Sequence, residues 1–149
     1  MPNEPLDDAH ARPPGTSDAE VEAAGTLSEA LERVERARGA LYEFHQLIGG
    51  ADALLDDVVA GLTGAGHREL ADRVGDELIG LNVLPGRWTF QVVEEFDAGY
   101  YATFRELERA VREATAGGRR HVFEAELKQR RRTRGRAGHE ATPTAGEPS

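Results

Sequence analysis

Residues 26–50, TLSEALERVERARGALYEFHQLIGG, decide the fold class of this chain. Thr26 and Glu29 have the spacing of a capping box, in which each side chain bonds the other residue's free backbone N–H, so they predict the start of a helix. Gly49 and Gly50 predict its end, because glycine adopts the left-handed conformation of a helix terminus without strain. Between these signals, apolar side chains recur at intervals of three, four or seven residues and mark one helical face: Leu27, Leu31, Val34, Leu41, Phe44 and Ile48.

The same periodicity continues toward the C-terminus and predicts four further helices. They cover residues 52–62, residues 67–81, a long segment from Pro85 or Arg87 to Ala116, and a shorter segment that begins near Arg119. Short connections between long amphipathic helices favour antiparallel neighbours. The sequence therefore predicts an all-α fold, an up-and-down antiparallel bundle of four main helices with a shorter C-terminal fifth. The apolar stripe predicted for the fourth helix is Val93, Phe96, Tyr100, Phe104, Leu107 and Val111.

The opposite face of the fourth helix carries polar residues that we expect to face water. Glu94 and Asp97 lie close to two tyrosines and superficially resemble an acid–base cluster, but they fall on this solvated face. Glu108 and Arg112 are four residues apart, which is typical of a surface ion pair. The face consists of Glu94, Ala98, Tyr101, Arg105, Glu108 and Arg112.

Residues 78–93 admit a second interpretation, a β-hairpin around Pro85–Gly86. Trp88, Phe90 and Val92 alternate with polar residues, as in a half-buried strand. Pro-Gly, however, favours a type II turn, whose twist does not match the strands of a two-residue hairpin. The sequence therefore favours a helix–turn–helix here and leaves the hairpin as the alternative.

The two ends of the chain differ in composition from its centre. Residues 1–25 contain four prolines and six acidic residues with almost no large apolar side chain, so burial would not offset the entropy of ordering them. Residues 133–149 are rich in glycine, proline, threonine and alanine. We expect disordered tails at 1–25 and 133–149 and one helical domain at 26–132.

The composition excludes several classes of protein. The chain has a net charge of -9 over 149 residues and no cysteine, so neither a disulfide framework nor a thiolate nucleophile is available. No apolar run approaches the length of about 18 to 20 residues that spans a bilayer, and the N-terminus has no secretory signal, so we expect a cytoplasmic protein. All but one of the basic residues are arginine, which is typical of GC-rich genomes.

Motifs for catalysis or cofactor binding are not found in the sequence. A carboxylate-bridged metal pair in a helical bundle needs Glu-x-x-His on two helices, but only His10 has an acid three residues before it, Asp7. The glycines match neither of the two common phosphate-binding loops. We therefore predict no catalytic residue, no metal and no cofactor.

The density of positive charge near the C-terminus marks one candidate site. Residues 119–136 carry eight basic residues and two acidic ones, whereas the rest of the chain is acidic. Nucleic acid or an anionic surface is the natural partner of such a run. The acidic body opposes that partner, so the favoured interpretation is a solvated helix end whose cations contact the protein's own acids. The candidate residues are Lys128, Arg130, Arg131, Arg132, Arg134 and Arg136.

The second candidate site is an interaction surface near the turn between the third and fourth helices. Arg87, Trp88, Phe90 and Tyr101 supply residue types that dominate protein interfaces. The leading hypothesis is a non-enzymatic interaction or accessory protein whose partner is another protein or a second copy of the chain, a homodimer. One alternative is nucleic-acid or anionic-surface binding through the basic run. The other is a bundle that binds a small ligand or metal in its interior through His45, Glu94, Tyr100 and His121.

Overall fold

The computed structural model describes residues 4–142. These residues form a mostly helical protein, and no β-strand is found among them. Residues 4–142 contain five α-helices: α1 (Asp18–Gly64), α2 (Arg68–Arg73), α3 (Thr89–Phe96), α4 (Ala102–Ala116) and α5 (Val122–Arg131). Two π-helical turns complete them. The first π segment, Val74–Leu78, extends α2, and the second π segment, Asp97–Tyr101, joins α3 to α4.

Helix α1 begins earlier than the sequence predicted. Its capping box is formed by Ser17 and Glu20 and not by Thr26 and Glu29: the Glu20 N–H donates to Ser17 Oγ (3.2 Å), and the Ser17 N–H donates to Glu20 Oε2 (2.7 Å). This bond to the Ser17 N–H holds the pKa of Glu20 below its ordinary value. The Ser17 copy of this motif precedes the Thr26 copy in the chain, and it starts the helix.

Helix α1 also ends later than predicted, because Gly49 and Gly50 lie inside it. Each glycine in a helix interior costs about 1 kcal/mol relative to alanine. Contacts on both sides of the pair offset that cost: His45 Nδ1 lies 2.6 Å from Thr89 Oγ1, and Asp52 Oδ1 accepts a hydrogen bond from the Gly80 N–H (3.0 Å). The predicted first and second helices are therefore one helix.

Residues 78–93 form a helix–turn–helix, as favoured from the sequence. Leu84 and Arg87 exchange backbone hydrogen bonds (2.9 and 3.4 Å) across Pro85–Gly86, and no strand extends from this single bridge within the described residues. Gly86 has a φ of +72°, as the third residue of a type II turn requires. Helix α3 then starts at Thr89, and Gln91 Oε1 accepts a hydrogen bond from the Trp88 N–H (3.0 Å).

The second π segment changes which side chains of the predicted fourth helix are buried. Tyr100 and Leu107, predicted for the apolar stripe, are exposed, whereas Tyr101 and Glu108, predicted to face water, are buried. A π turn holds one residue more than an α turn, so each position after it moves round the helix by one residue. A straight helix of 3.6 residues per turn therefore gave the wrong faces for these four residues, whereas Phe104 and Val111 of the predicted stripe are half-buried.

The chain divides into two structural units. Unit 1 contains the described residues of Met1–Arg33 and Thr103–Ser149. Its core is formed by Val21, Ala116 and Val122. Gly25 lies so close to Phe123 that an added Cβ would stand 2.9 Å from the Phe123 Cβ. Small residues therefore allow the first turns of α1 to approach α5 closely.

The N-terminal segment of unit 1 is fixed by Arg12. Its guanidinium donates to both carboxylate oxygens of Glu126 in α5 (2.7 and 2.9 Å) and to Asp18 Oδ1 (2.7 Å). The disordered tails predicted at 1–25 and 133–149 remain predictions, although residues 18–25 belong to α1 and Ala141 is buried. Residues 143–149 of the second tail lie outside the described residues.

Unit 2 is Val34–Ala102 and contains the rest of α1 with α2, α3 and both π segments. Within it, only Ala71, Val93 and Tyr101 are buried among the apolar and aromatic side chains. The half-buried residues of α1 in unit 2 recur at heptad spacing: Val34, Arg38, Leu41, His45, Asp52, Leu55, Val59 and Leu62. Three of them, Arg38, His45 and Asp52, bond residues outside α1.

None of the helices formed by residues 4–142 combines the length and apolar character needed to cross a membrane.

Candidate functional site

Trp88, the only tryptophan of the sequence, is one of the exposed aromatic side chains of unit 2. It is 58% exposed, and its ring meets that of Phe90 edge to face, with centroids 5.4 Å apart. Arg87, the neighbouring residue, forms an ion pair with Glu95 (2.6 Å). The type II turn at Pro85–Gly86 and the start of α3 position these groups. We call Leu84, Arg87, Trp88 and Phe90 the Trp88 surface.

Tyr101 does not belong to the Trp88 surface, although the sequence grouped it with Trp88. Its side chain is only 8% exposed, and its hydroxyl donates to Glu35 Oε1 (2.6 Å). The extra residue of the second π segment turns it inward, as described above. Of the four predicted interface residues, Arg87, Trp88 and Phe90 are exposed together, and Tyr101 is buried.

Tyr101 belongs to a polar cluster that joins α1 to the second π segment. Arg38 donates to both oxygens of Asp97 (2.7 and 3.1 Å) and lies over the rings of Tyr101 (4.7 Å) and Tyr42 (5.1 Å). The Tyr42 hydroxyl also donates to Asp97 Oδ2 (3.4 Å). Asp97 was expected to face water and instead anchors this cluster.

The chemistry of this cluster indicates a structural role. The hydrogen bonds from Arg38 hold the pKa of the Asp97 carboxyl below its ordinary value, and Asp97 in turn raises the pKa of Arg38. A general base works best with a pKa near the operating pH, so an aspartate shifted downward is poorly suited to that role. The cluster contains no activated nucleophile. Its bidentate ion pair and cation–π contacts instead fix α1 against the second π segment.

The four proposed ligand-binding residues differ in their surroundings. His45 is occupied by Thr89, as described for α1, and Glu94 and Tyr100 are exposed. His121 belongs to unit 1 and the other three belong to unit 2. Within residues 4–142 there is also no group of three histidine or acidic side chains arranged to hold a metal ion.

A cleft in unit 1 is lined by Ser28, Arg112 and His121 together with small core residues. It offers about 20 Å³, which is little more than a single water molecule requires. A cofactor or drug-sized ligand needs several hundred Å³. This cleft is therefore too small to be a ligand pocket.

Glu108, which bonds two residues of this cleft, is buried, although the sequence predicted that it faces water. Its Oε1 accepts hydrogen bonds from Ser28 Oγ (3.2 Å) and Arg112 Nε (3.1 Å), and Arg112 also donates to the Gly118 carbonyl (2.9 Å). The pair predicted for the helix surface is thus a buried ion pair that also satisfies a backbone carbonyl after α4. The inserted residue of the second π segment explains the error. Gly99, a poor helix former inside that segment, is the one sequence signal that marks it.

The basic run lies in unit 1 at the end of α5 and beyond it. Arg132 is unavailable to a partner, because its side chain is only 2% exposed and pairs with Glu4 (3.1 Å). The remaining five candidates, which are exposed, are Lys128, Arg130, Arg131, Arg134 and Arg136. An ion pair with an acid of the same chain agrees with the interpretation favoured from the sequence, although among residues 4–142 only Arg132 of this set forms one.

Exposed apolar side chains are unevenly distributed between the units. Unit 1 has 70 described residues and unit 2 has 69. Thirteen of the sixteen exposed large apolar or aromatic side chains belong to unit 2, and only Leu107, Phe123 and Leu127 belong to unit 1. Where exposed apolar side chains form a contiguous patch, they are typical of a surface that binds protein.

Comparison with known proteins gave no match: no family model, no curated protein and no solved structure corresponds to this chain. Any assignment of function therefore rests on the site geometry described above.

Proposed function

We propose that this chain is a non-enzymatic, cytoplasmic, α-helical interaction protein that binds another protein or a second copy of itself through unit 2. The distribution of exposed apolar side chains, thirteen in unit 2 against three in unit 1, is the observation that carries the proposal. The up-and-down antiparallel bundle expected from the short connections remains part of this proposal.

The Trp88 surface is the proposed contact for the partner. Tryptophan and arginine are among the residues most enriched in interface hot spots, and Trp88 presents more than half of its surface to solvent. Arg87 is held by Glu95 in the first turns of α3, so little side-chain entropy would be lost when a partner binds. Leu84 and Phe90 are exposed as well, and the Phe90 ring contacts the Trp88 ring and adds to the apolar surface.

The test uses Trp88→Ala in the full chain, with Leu107→Ala as its matched control. Both side chains are 58% exposed, but Leu107 lies in unit 1. Proteins retained on the immobilised wild-type chain and on Leu107→Ala should be lost from Trp88→Ala. Since Trp88 is the only tryptophan, its fluorescence should also shift to shorter wavelength when the purified partner binds. Equal retention by all three chains would contradict the Trp88 surface.

A further inference from the structure

Helix α1 carries a second apolar stripe in unit 2, distinct from the half-buried face described above. Eight positions recur at alternating spacings of three and four residues, which is the a/d pattern of a heptad repeat. All eight are apolar or glycine and all eight are exposed: Ala37, Ala40, Phe44, Leu47, Ala51, Leu54, Val58 and Gly61. Leu47 and Leu54 are each 64% exposed. We call this set the α1 stripe.

The pattern of the α1 stripe is that of a helix seam without its partner helix. It continues for 25 residues, or about 37 Å at 1.5 Å per residue, and contains no charged residue. A stripe of isolated surface leucines would not keep this spacing over nearly four heptads. Exposed apolar seams of this kind are covered by a second helix with the same repeat.

We infer that the α1 stripe is covered by the α1 stripe of a second copy, which runs antiparallel. This inference rests on the proposed function, association through unit 2, and names the partner. The charges beside the stripe select the register. Arg36 and Asp57 each come directly before an a position of the heptad, Ala37 and Val58, so both lie along the same edge of the stripe. Neither forms an ion pair within residues 4–142. In an antiparallel pair this edge meets itself, so Arg36 of each copy can lie opposite Asp57 of the other.

For six of the eight stripe positions, those from Ala37 to Leu54, the same register also fits the sizes of the side chains. It places Phe44 opposite Leu47 of the second copy at the centre, Ala40 opposite Ala51, and Ala37 opposite Leu54. The alanine layers allow the two backbones to approach closely, and the large side chains fill the layers between them. A parallel pair would instead place Arg36 against Leu41, which is already half-buried within its own chain. The charges therefore favour the antiparallel dimer.

Sedimentation equilibrium of the full chain tests the dimer. We expect the wild-type chain to be dimeric, Leu47→Glu to be monomeric, and Leu81→Glu to remain dimeric. Leu81 is the matched control, because it is 67% exposed and lies in unit 2 outside α1. Neither substitution should impair folding, since both side chains are mostly in water within one chain. A wild-type chain that is monomeric at all concentrations, or a dimer insensitive to Leu47→Glu, would overturn the inference.

A charge exchange tests the register. Arg36→Asp converts two attractions in the dimer into two repulsions, so it should raise the dissociation constant about tenfold. Asp57→Arg should do the same, and the double variant Arg36→Asp/Asp57→Arg should restore the wild-type value. Arg68→Asp makes the same change of charge at an exposed site outside α1 and should have no effect. Failure of the double variant to restore affinity would overturn the antiparallel register.

Cross-linking tests the orientation independently, because the wild-type chain has no cysteine. Ala40→Cys chains mixed with Ala51→Cys chains should form a mixed disulfide, whereas neither variant alone should cross-link to itself efficiently. Efficient self-linking of Ala40→Cys would indicate a parallel pair and overturn the inference.

The outcomes of these experiments also separate the dimer from the proposed function. A monomeric chain that still loses its partner on Trp88→Ala contradicts only self-association, and a dimer unaffected by Trp88→Ala that retains no other protein contradicts only the Trp88 surface.

Discussion

Units 1 and 2 are almost equal in size but differ in how they hold together. Unit 1 brings small residues into close contact, with Gly25 against Phe123 and a core of valine and alanine. Unit 2 leaves most of its large apolar side chains in water and is joined by polar contacts such as that between Arg38 and Asp97. Unit 2 therefore exposes more apolar surface than unit 1, and this is the surface that we propose for a partner.

The largest effect on this comparison is expected at Gly25. Gly25→Ala places a Cβ only 2.9 Å from the Phe123 Cβ, which is closer than two such atoms can pack. Neither atom is the end of a flexible side chain, so the backbone would have to move. Gly39→Ala, in the same helix, meets nothing within 4 Å and should be neutral or stabilising. We expect Gly25→Ala to unfold at lower denaturant, with a free energy of unfolding about 1–3 kcal/mol below that of Gly39→Ala. Equal stability of the two variants would show that unit 1 is less tightly packed than described.

A second difference should appear between two neighbouring arginines of the basic run. Arg132→Ala removes a buried side chain that bonds Glu4 and the His139 carbonyl, so it should lower the free energy of unfolding by about 1–2 kcal/mol. Arg131→Ala removes an exposed side chain and should change it by less than about 0.5 kcal/mol. Chemical denaturation of both variants measures the difference. Equal free energies of unfolding for the two variants would show that the contacts of Arg132 do not stabilise the fold.

The ion pair of unit 2 should give its stability a dependence on pH. Arg38 lowers the pKa of Asp97 in the folded chain. The contribution of Asp97 to the free energy of unfolding is therefore fully present above the pKa of an unfolded aspartate, about 3.9, and is lost as the pH falls through the lower pKa of the folded chain. Asp97→Asn should therefore lose stability at neutral pH and show a weaker dependence at acid pH. Denaturation of both chains between acid and neutral pH tests this expectation. Parallel stability curves for the two chains would contradict it.

The smallest effect is expected at the exposed apolar side chains of unit 2. Leu81→Ala should change the free energy of unfolding of the monomer by less than about 0.5 kcal/mol, because the side chain is already 67% in water. Val21→Ala in the unit 1 core should cost about 1–2 kcal/mol by comparison. A large loss at Leu81 would show that unit 2 has a core of its own and would weaken the contrast between the units.

The sequence predicted the helical class and the helix–turn–helix correctly because both depend on local signals. Apolar periodicity identified α1, and Pro85–Gly86 identified the type II turn. The ends of α1 were wrong, because a competing capping box at Ser17 and contacts around Gly49–Gly50 decided them. Whether a glycine pair ends a helix depends on residues that are distant in sequence, and periodicity does not report them.

The exposure of the candidate residues could be predicted in part, for the same reason. Trp88 and Phe90 follow the type II turn that Pro85 and Gly86 define locally, and both side chains are exposed. The position of Tyr101 depends on one π turn, which moved it from the predicted surface to the interior and moved Glu108 with it. Hydrophobic periodicity assumes a regular helix, so it cannot register a single inserted residue.

The second π segment has a consequence for aligning this chain with distant relatives. A regular α-helix that buried the same side chains as α3 and α4 would be one residue shorter between Phe96 and Tyr101. A relative with an unbroken helix here should therefore align with a single gap inside a helix, a position where gaps are ordinarily penalised. Deleting Gly99 should produce that shorter helix in this chain, with the inward positions of Tyr101 and Glu108 retained.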